Sequence, residues 1–255
     1  LPFNEPIQVP GASVLPPDGG YSEARVHHFR HRNILTMREA YSYVSGSETT
    51  NTFETSATSV VVGLNILDVV TADLVVARLT SSKPKDGTEG SISPVGSQFQ
   101  NLRVAGRAIP EAENLVTDLF AELDTYGKMI GDDRAFATQR GRLDEFLTPP
   151  PEPPYPPDER TLKYLPEGAY RLDRRRGMNG SLSASLVPNI RTTFAGVSTI
   201  RNLIPVKQFG LIRVAELRIA ADQRRLTMLA FDLGSPFVGT LDVCYAESNG
   251  SIWGL

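Results

Sequence analysis

The sequence predicts a mainly antiparallel β protein, a sandwich or strongly curved sheet, with an inserted α-helical hairpin and a proline-rich connector. Three observations carry this. From Ser59 to Leu79 the apolar residues recur by twos, with Val60, Val62, Leu64 and Ile66 on one face and, after Asp68, Val70, Ala72, Leu74 and Val76 on one face. That is the mark of consecutive strands with one buried side. From Pro110 the period lengthens to three or four residues, as a helix requires. Between Pro149 and Pro157 stand seven prolines in nine residues, which predict a stiff polyproline II rod.

Composition sets the frame for these elements. The chain has 255 residues, enough to bury a core without disulfides. Its 19 prolines and 21 glycines favour a loop-rich β chain. A net charge of −3 gives no electrostatic footprint for nucleic acid. Cys244 is the sole cysteine, so no intrachain disulfide and no multi-cysteine metal site can form. The longest apolar run, Val60 to Leu67, is broken by Gly63 and Asn65 and falls far short of the roughly 20 residues of a membrane helix, so no transmembrane span is expected. The chain opens at Leu1 without a signal-peptide core, which fits either a processed or a shortened chain. Processing and an extracytoplasmic location (secreted, periplasmic or cell surface) are favoured by the Ser/Thr/Gly-rich strands.

In chain order, residues 1–23 read as an extended Pro/Gly-rich arm, lying on a partner or along its own domain. Residues 24–109 form the first β segment: Tyr41, Tyr43 and the Ser/Thr run from Ser45 favour strand, and a Gly/Pro/Ser loop leads to a strand from Phe99 to Ile109. Residues 110–147 read as the helical hairpin. Leu115, Leu119, Leu123 and Tyr126 mark its first helix, started by Pro110 with Glu111 and Glu113 in the first turn. Phe136, Arg140, Leu143 and Leu147 mark the second, behind Asp132 and Asp133. After the connector at 148–159, residues 160–255 complete the same domain. Their strands are Leu182–Leu186, Phe194–Leu203, Phe209–Ala220, Leu226–Leu233 and Phe237–Tyr245, the last with Phe237, Leu241, Val243 and Tyr245 on one face. Residues 72–77 and 215–220 echo one another faintly.

The wording Val-Gly-Leu-Asn, Val-Val-Thr-Ala-Asp and Leu-Arg-Val-Ala-Gly-Arg across 62–107, with Leu-Thr-Met-Leu and Leu-Gly-Ser-Pro-Phe-Val-Gly at 226–239, resembles secreted bacterial β proteins of the choice-of-anchor kind. The resemblance implies an all-β surface or exported protein of undefined role and brings no catalytic residue. The helical insert and the proline rod depart from that pattern, as does the lack of a sorting motif at 251–255.

Chemistry could live in a few places. His27, His28 and His31 sit among Arg25, Arg30 and Arg32, and His27 and His31 are expected to share a face. The cluster reads three ways: a metal site at His27, His28 and His31, a basic contact patch for an acidic partner or anionic surface, or a solvated strand face. Arg174, Arg175 and Arg176 lie in a basic stretch, seven Lys/Arg to two Asp/Glu over 160–191, while 111–145 holds nine acids to four bases. The two stretches either position the insert or dock on another subunit. Tyr155 in the rod and Trp253 near the end are further interface candidates. Asp73 and Glu216, at echoing positions, are the pair to examine for glycosidase-type carboxylates. No nucleophile elbow, Walker loop or dinucleotide fingerprint occurs, and no cofactor is expected. The expectation is a non-enzymatic structural or interaction protein, a surface component or accessory subunit partnered by other proteins. The alternatives are a carbohydrate- or lipid-binding β module and a metal-dependent enzyme built on the histidines.

Overall fold

The computed structural model describes residues 11–117, 125, 127–128, 182–187, 190–191, 199, 202–219, 223–234 and 239–249. Two antiparallel sheets pack face to face. The first is built from four long strands, β1 (Gly20–His31), β2 (Leu35–Glu48), β3 (Thr52–Ile66) and β4 (Val70–Pro84), in sequential order. The short strands β5 (Ser91–Ser93), β6 (Gln98–Gln100) and β7 (Arg103–Val104) all pair with β4, and β8 (Arg107–Ala108) pairs with β7. The second sheet has the order β10 (Leu203–Val206), β11 (Gly210–Ile219), β12 (Gln223–Leu233) and β13 (Gly239–Asn249), with β9 (Leu182–Ser185) also on β11.

The meander follows from local chemistry. In the three-residue loop 67–69 that joins β3 to β4, Leu67 and Asp68 both adopt positive φ, the Val69 N–H closes back on the Ile66 carbonyl, and the Asn65 side chain bonds both the backbone N–H and the carboxylate of Asp68 to hold the turn. Strands β12 and β13 lie over β3 and β4. Between the sheets lies one core that includes Leu35, Leu64, Ile66, Val75, Leu79 and Ile212, with Phe231 edge-on to Phe209 at 6.1 Å between ring centres. The arm takes the place of the second sheet over β2: Ser42 donates to the Gly11 carbonyl, and the Leu15 side chain occupies the space above Gly46, where a Cβ would meet it at 2.8 Å. Of the two alternatives for the arm, residues 11–19 thus lie along their own domain.

One feature of the backbone alters every face assignment. His28 in β1, Gly63 in β3, Ala215 in β11 and Cys244 in β13 have φ between 51° and 64°, while register on either side continues without an inserted residue. At these levels the alternation of side chains switches. In β3 the inward residues run Ala57 and Val61, then Leu64 and Ile66; in β4 they run Val70 and Ala72, then Val75, Ala77 and Leu79. Unbroken period two had put Val60, Val62, Leu64 and Ile66 together, and likewise Val70, Ala72, Leu74 and Val76. The kink sends Val60, Val62, Leu74 and Val76 to the outward face instead. The same switch at Cys244 leaves Leu241 and Val243 against the core but turns Tyr245 out, 44% exposed.

The helix expected from Pro110 does not form over its described residues. Pro110–Glu113 is a single 3-10 turn, and Leu115–Thr117 runs on without helical structure. The Val116 N–H is taken by the Leu186 carbonyl, and Leu115 packs on the core, so this stretch is irregular chain docked on the second sheet. Glu111 and Glu113 serve other ends: their carboxylates accept from the Arg191 and Asn101 backbone N–H groups. Of the rest of the expected hairpin only residues 125, 127 and 128 are described, with the Gly127 N–H donating to the Glu89 carboxylate and the Lys128 N–H to the Thr125 hydroxyl; the remainder, the proline rod and most of the expected strand Phe194–Leu203 lie outside the described residues. No helix among the described residues is long and apolar enough to cross a membrane.

Candidate interaction surface

Register across β1–β6 defines the outward face of the first sheet as rows. The central rows are Arg25, Tyr41, Val60, Val76 and Gln98, and His27, Glu39, Val62, Leu74 and Gln100. Next to them runs Glu23, Tyr43, Thr58 and Arg78. Aliphatic centre, tyrosines to one side and charges at the rim make one continuous band. A sheet face that meets only water alternates to polar residues. Here Val60 and Val76 are buried at 4% and 8% exposure although they lie outside the core between the sheets. The Thr58 hydroxyl, also buried, has no protein partner.

The second sheet's outward face has the opposite character. Arg213 lies 3.5 Å from Asp232 and 3.8 Å from Glu216, and Arg225 bonds Asp242 at 2.6 Å while stacking over Tyr245 at 4.3 Å. These ion pairs, half-buried at Arg213, Glu216 and Asp232 and more open at Asp242, give this face a charged lattice in place of an aliphatic band. Asp73, exposed on the first sheet and held by Asn101 at 2.6 Å, and Glu216 on the second sheet face opposite sides of the sandwich, so the two carboxylates do not converge.

The histidine cluster is split by the kink at His28. His27, with Arg25, belongs to the outward rows: Arg25 lies 3.4 Å from the Glu39 carboxylate and over the Tyr41 ring at 4.9 Å, and His27 Nδ1 is 3.9 Å from the same carboxylate. Beyond the kink, His31 pairs with Leu35 and falls on the inward-facing side with Phe29, so His27 and His31 do not share the face that unbroken alternation predicted. Arg30 donates to Asn33 Oδ1 at 2.6 Å and to the Arg32 carbonyl, fastening the β1–β2 turn. No group of three or more His, Cys, Asp or Glu placed to hold a metal occurs among the described residues. Arg25 and His27 thus join the band, His28 and Arg30 flank it, and Arg174, Arg175, Arg176, Tyr155 and Trp253 lie outside the described residues.

A second feature was not singled out from the sequence. At the far end of the same sheet a groove of about 570 Å³ is lined by fourteen described residues, ten of them serine or threonine. The row Ser45, Ser56, Thr80 and Ser93 and the row Ser47, Glu54, Ser82 and Ser91 supply its outward positions. The intervening residues turn inward, where Thr55 meets Ser248 at 3.4 Å and Ile92 enters the core.

Cys244 belongs to neither feature. It lies in the core against the facing sheet, its Sγ 3.1 and 3.3 Å from the Ser59 and Val75 carbonyls, either of which can accept its one proton, and burial pushes its pKa up to about 12. A neutral, enclosed thiol of this kind packs and does not react.

Residues 1–220 match the model of a family described as a domain of unknown function, DUF8256. Neither the curated proteins nor the solved structures give a match.

Proposed function

For a chain that belongs to the DUF8256 family, we propose a non-enzymatic role as an extracytoplasmic structural or interaction protein, a surface component or accessory subunit, whose partner is another protein seated on the outward band of the first sheet. The observation that carries this is the accessible part of the band, half-buried Tyr41, Tyr43, Val62 and Leu74 with exposed Arg25 and Arg78, set around Val60 and Val76, which are already buried within the chain. Tyrosine and arginine around an apolar centre is the composition of protein interfaces. The ion-paired outer face of the second sheet is the built-in contrast.

The test is the native particle, isolated gently from its source and measured by light scattering with mass spectrometry of whatever co-elutes. A defined complex with another polypeptide, lost in Tyr41→Ala/Tyr43→Ala while the melting temperature holds, supports the role. A monomer at every step of isolation refutes it. Fractionation of the source cells tests the location in the same experiment: recovery with cytoplasmic markers refutes it.

A further inference from the structure

We propose that the hydroxyl-lined groove at the β2–β5 end of the first sheet is a binding site for a neutral saccharide. This site is separate from the aliphatic band and stands whether or not a protein covers that band.

The chemistry of the lining selects the ligand class. A serine or threonine hydroxyl both donates and accepts, so a surface of hydroxyls is complementary to a ligand that does the same. Ser45, Ser56, Thr80 and Ser93 stand on four successive strands. They repeat at about 4.8 Å across the strands, with the next outward row about 7 Å away, distances on the scale of a sugar ring and its exocyclic groups. None of the described lining residues is basic, so an anionic ligand finds no counter-charge. Glu54 is the one carboxylate, able to accept two hydroxyl donors.

Short side chains on a flat floor let a ring approach the backbone closely. Val95, 60% exposed at the border, offers an apolar contact for ring C–H groups. Tyr21 pairs with Ser45 at the end of the same row and is 57% exposed, its hydroxyl bonded to the Glu23 carboxylate at 2.5 Å. The ring is therefore held while its face stays open to stacking. The groove's volume falls within the range of small-ligand sites, about 300–1,000 Å³.

The experiment uses the full chain and a panel of neutral hexasaccharides (cellohexaose, laminarihexaose, xylohexaose), with a hyaluronan hexasaccharide and calcium chloride as contrasts. Binding is read by isothermal titration and by amide chemical shifts. The expected result is saturable binding of at least one neutral oligosaccharide, with shifts at 45–47, 54–56, 80–82 and 91–93. Ser56→Ala and Thr80→Val should each weaken it about fivefold to tenfold with the melting temperature unchanged. Tyr41→Ala alone, one row further from the groove than Tyr43, should leave it intact, which keeps this outcome apart from the fate of the protein-partner role.

No saturable binding of any neutral probe up to about 10 mM, a concentration that captures even very weak sites, overturns the proposal. So does binding that Ser56→Ala and Thr80→Val leave unchanged. Calcium uptake abolished by Glu54→Gln, without saccharide uptake, would make the groove a cation site and overturn it as well.

Discussion

Replacing Gly63 by alanine tests the kinked strands with a change of sign. In an ordinary extended strand, glycine to alanine restricts the unfolded chain and stabilises the fold by about 0.4–1 kcal/mol. Gly63 has φ +64°, where an L side chain costs roughly 1–2 kcal/mol. The new Cβ would also sit 3.0 Å from the Arg38 Cβ, closer than ordinary contact, on a neighbouring strand that cannot withdraw without disturbing its own pairing. Set against one another, these effects leave a net loss of about 1 kcal/mol, which in a domain of this size lowers the melting temperature by about 2–4 °C. Urea unfolding followed by tryptophan-independent far-UV circular dichroism gives the free energy, and calorimetry the melting temperature. Gly63→Asn should cost less, because asparagine visits the left-handed region more readily. An alanine variant as stable as the parent, or more so, would show that residue 63 is extended, and the face switch in β3 would fall with it.

Other outcomes follow from the core and from single groups. Phe231→Ala, removing a fully buried ring that packs edge-on to Phe209, should cost about 3–5 kcal/mol in urea unfolding. Cys244 should resist an aromatic disulfide reagent at pH 8 in the folded protein and react promptly in denaturant. Its pKa is raised in the fold from 9.0 to about 12, so its contribution to stability is complete below about pH 9 and declines as pH climbs towards 12. Comparison with Cys244→Val, in which that alkaline slope should be shallower, isolates the thiol from the tyrosines and lysines. Asp86 is held below the usual carboxylate range first by the Thr88 hydroxyl and then by the Thr88 N–H. Thr88→Val should raise it, read by carboxyl-carbon NMR titration, and an unmoved titration would sink that assignment.

Strand content was legible because residues 59–79 and 226–233 carry a strong two-residue period, and both appear as paired strands. The faces were only half legible. A positive φ at His28, Ala215 or Cys244 leaves no trace in residue type, and Gly63 was the single hint, since a glycine inside a strand often marks a distortion. The same blindness put His27 and His31 on one face. The spacing of Leu115 resembles a helix because a docked irregular chain also returns to the core every few residues, and only the Val116–Leu186 hydrogen bond separates the two. Serines at 45, 56, 82, 91 and 93 were visible one by one. Their assembly into rows depends on register across four strands, which one sequence does not encode in any local signal.

The kinks also act as registration pins. In a uniform antiparallel sheet, a slip of one residue exposes the core, but a slip of two keeps inside in and outside out, so it is the cheap error. Here a two-residue slip of β3 on β4 would carry Gly63 away from the level at which β4 changes face. Two rows of side chains would then point the wrong way between the old switch and the new. Even-numbered slips, free of such a penalty in a uniform sheet, acquire one here. A chain with long, Val- and Thr-rich strands is thereby protected against the sliding that seeds edge-to-edge stacking, at the cost of a few left-handed residues.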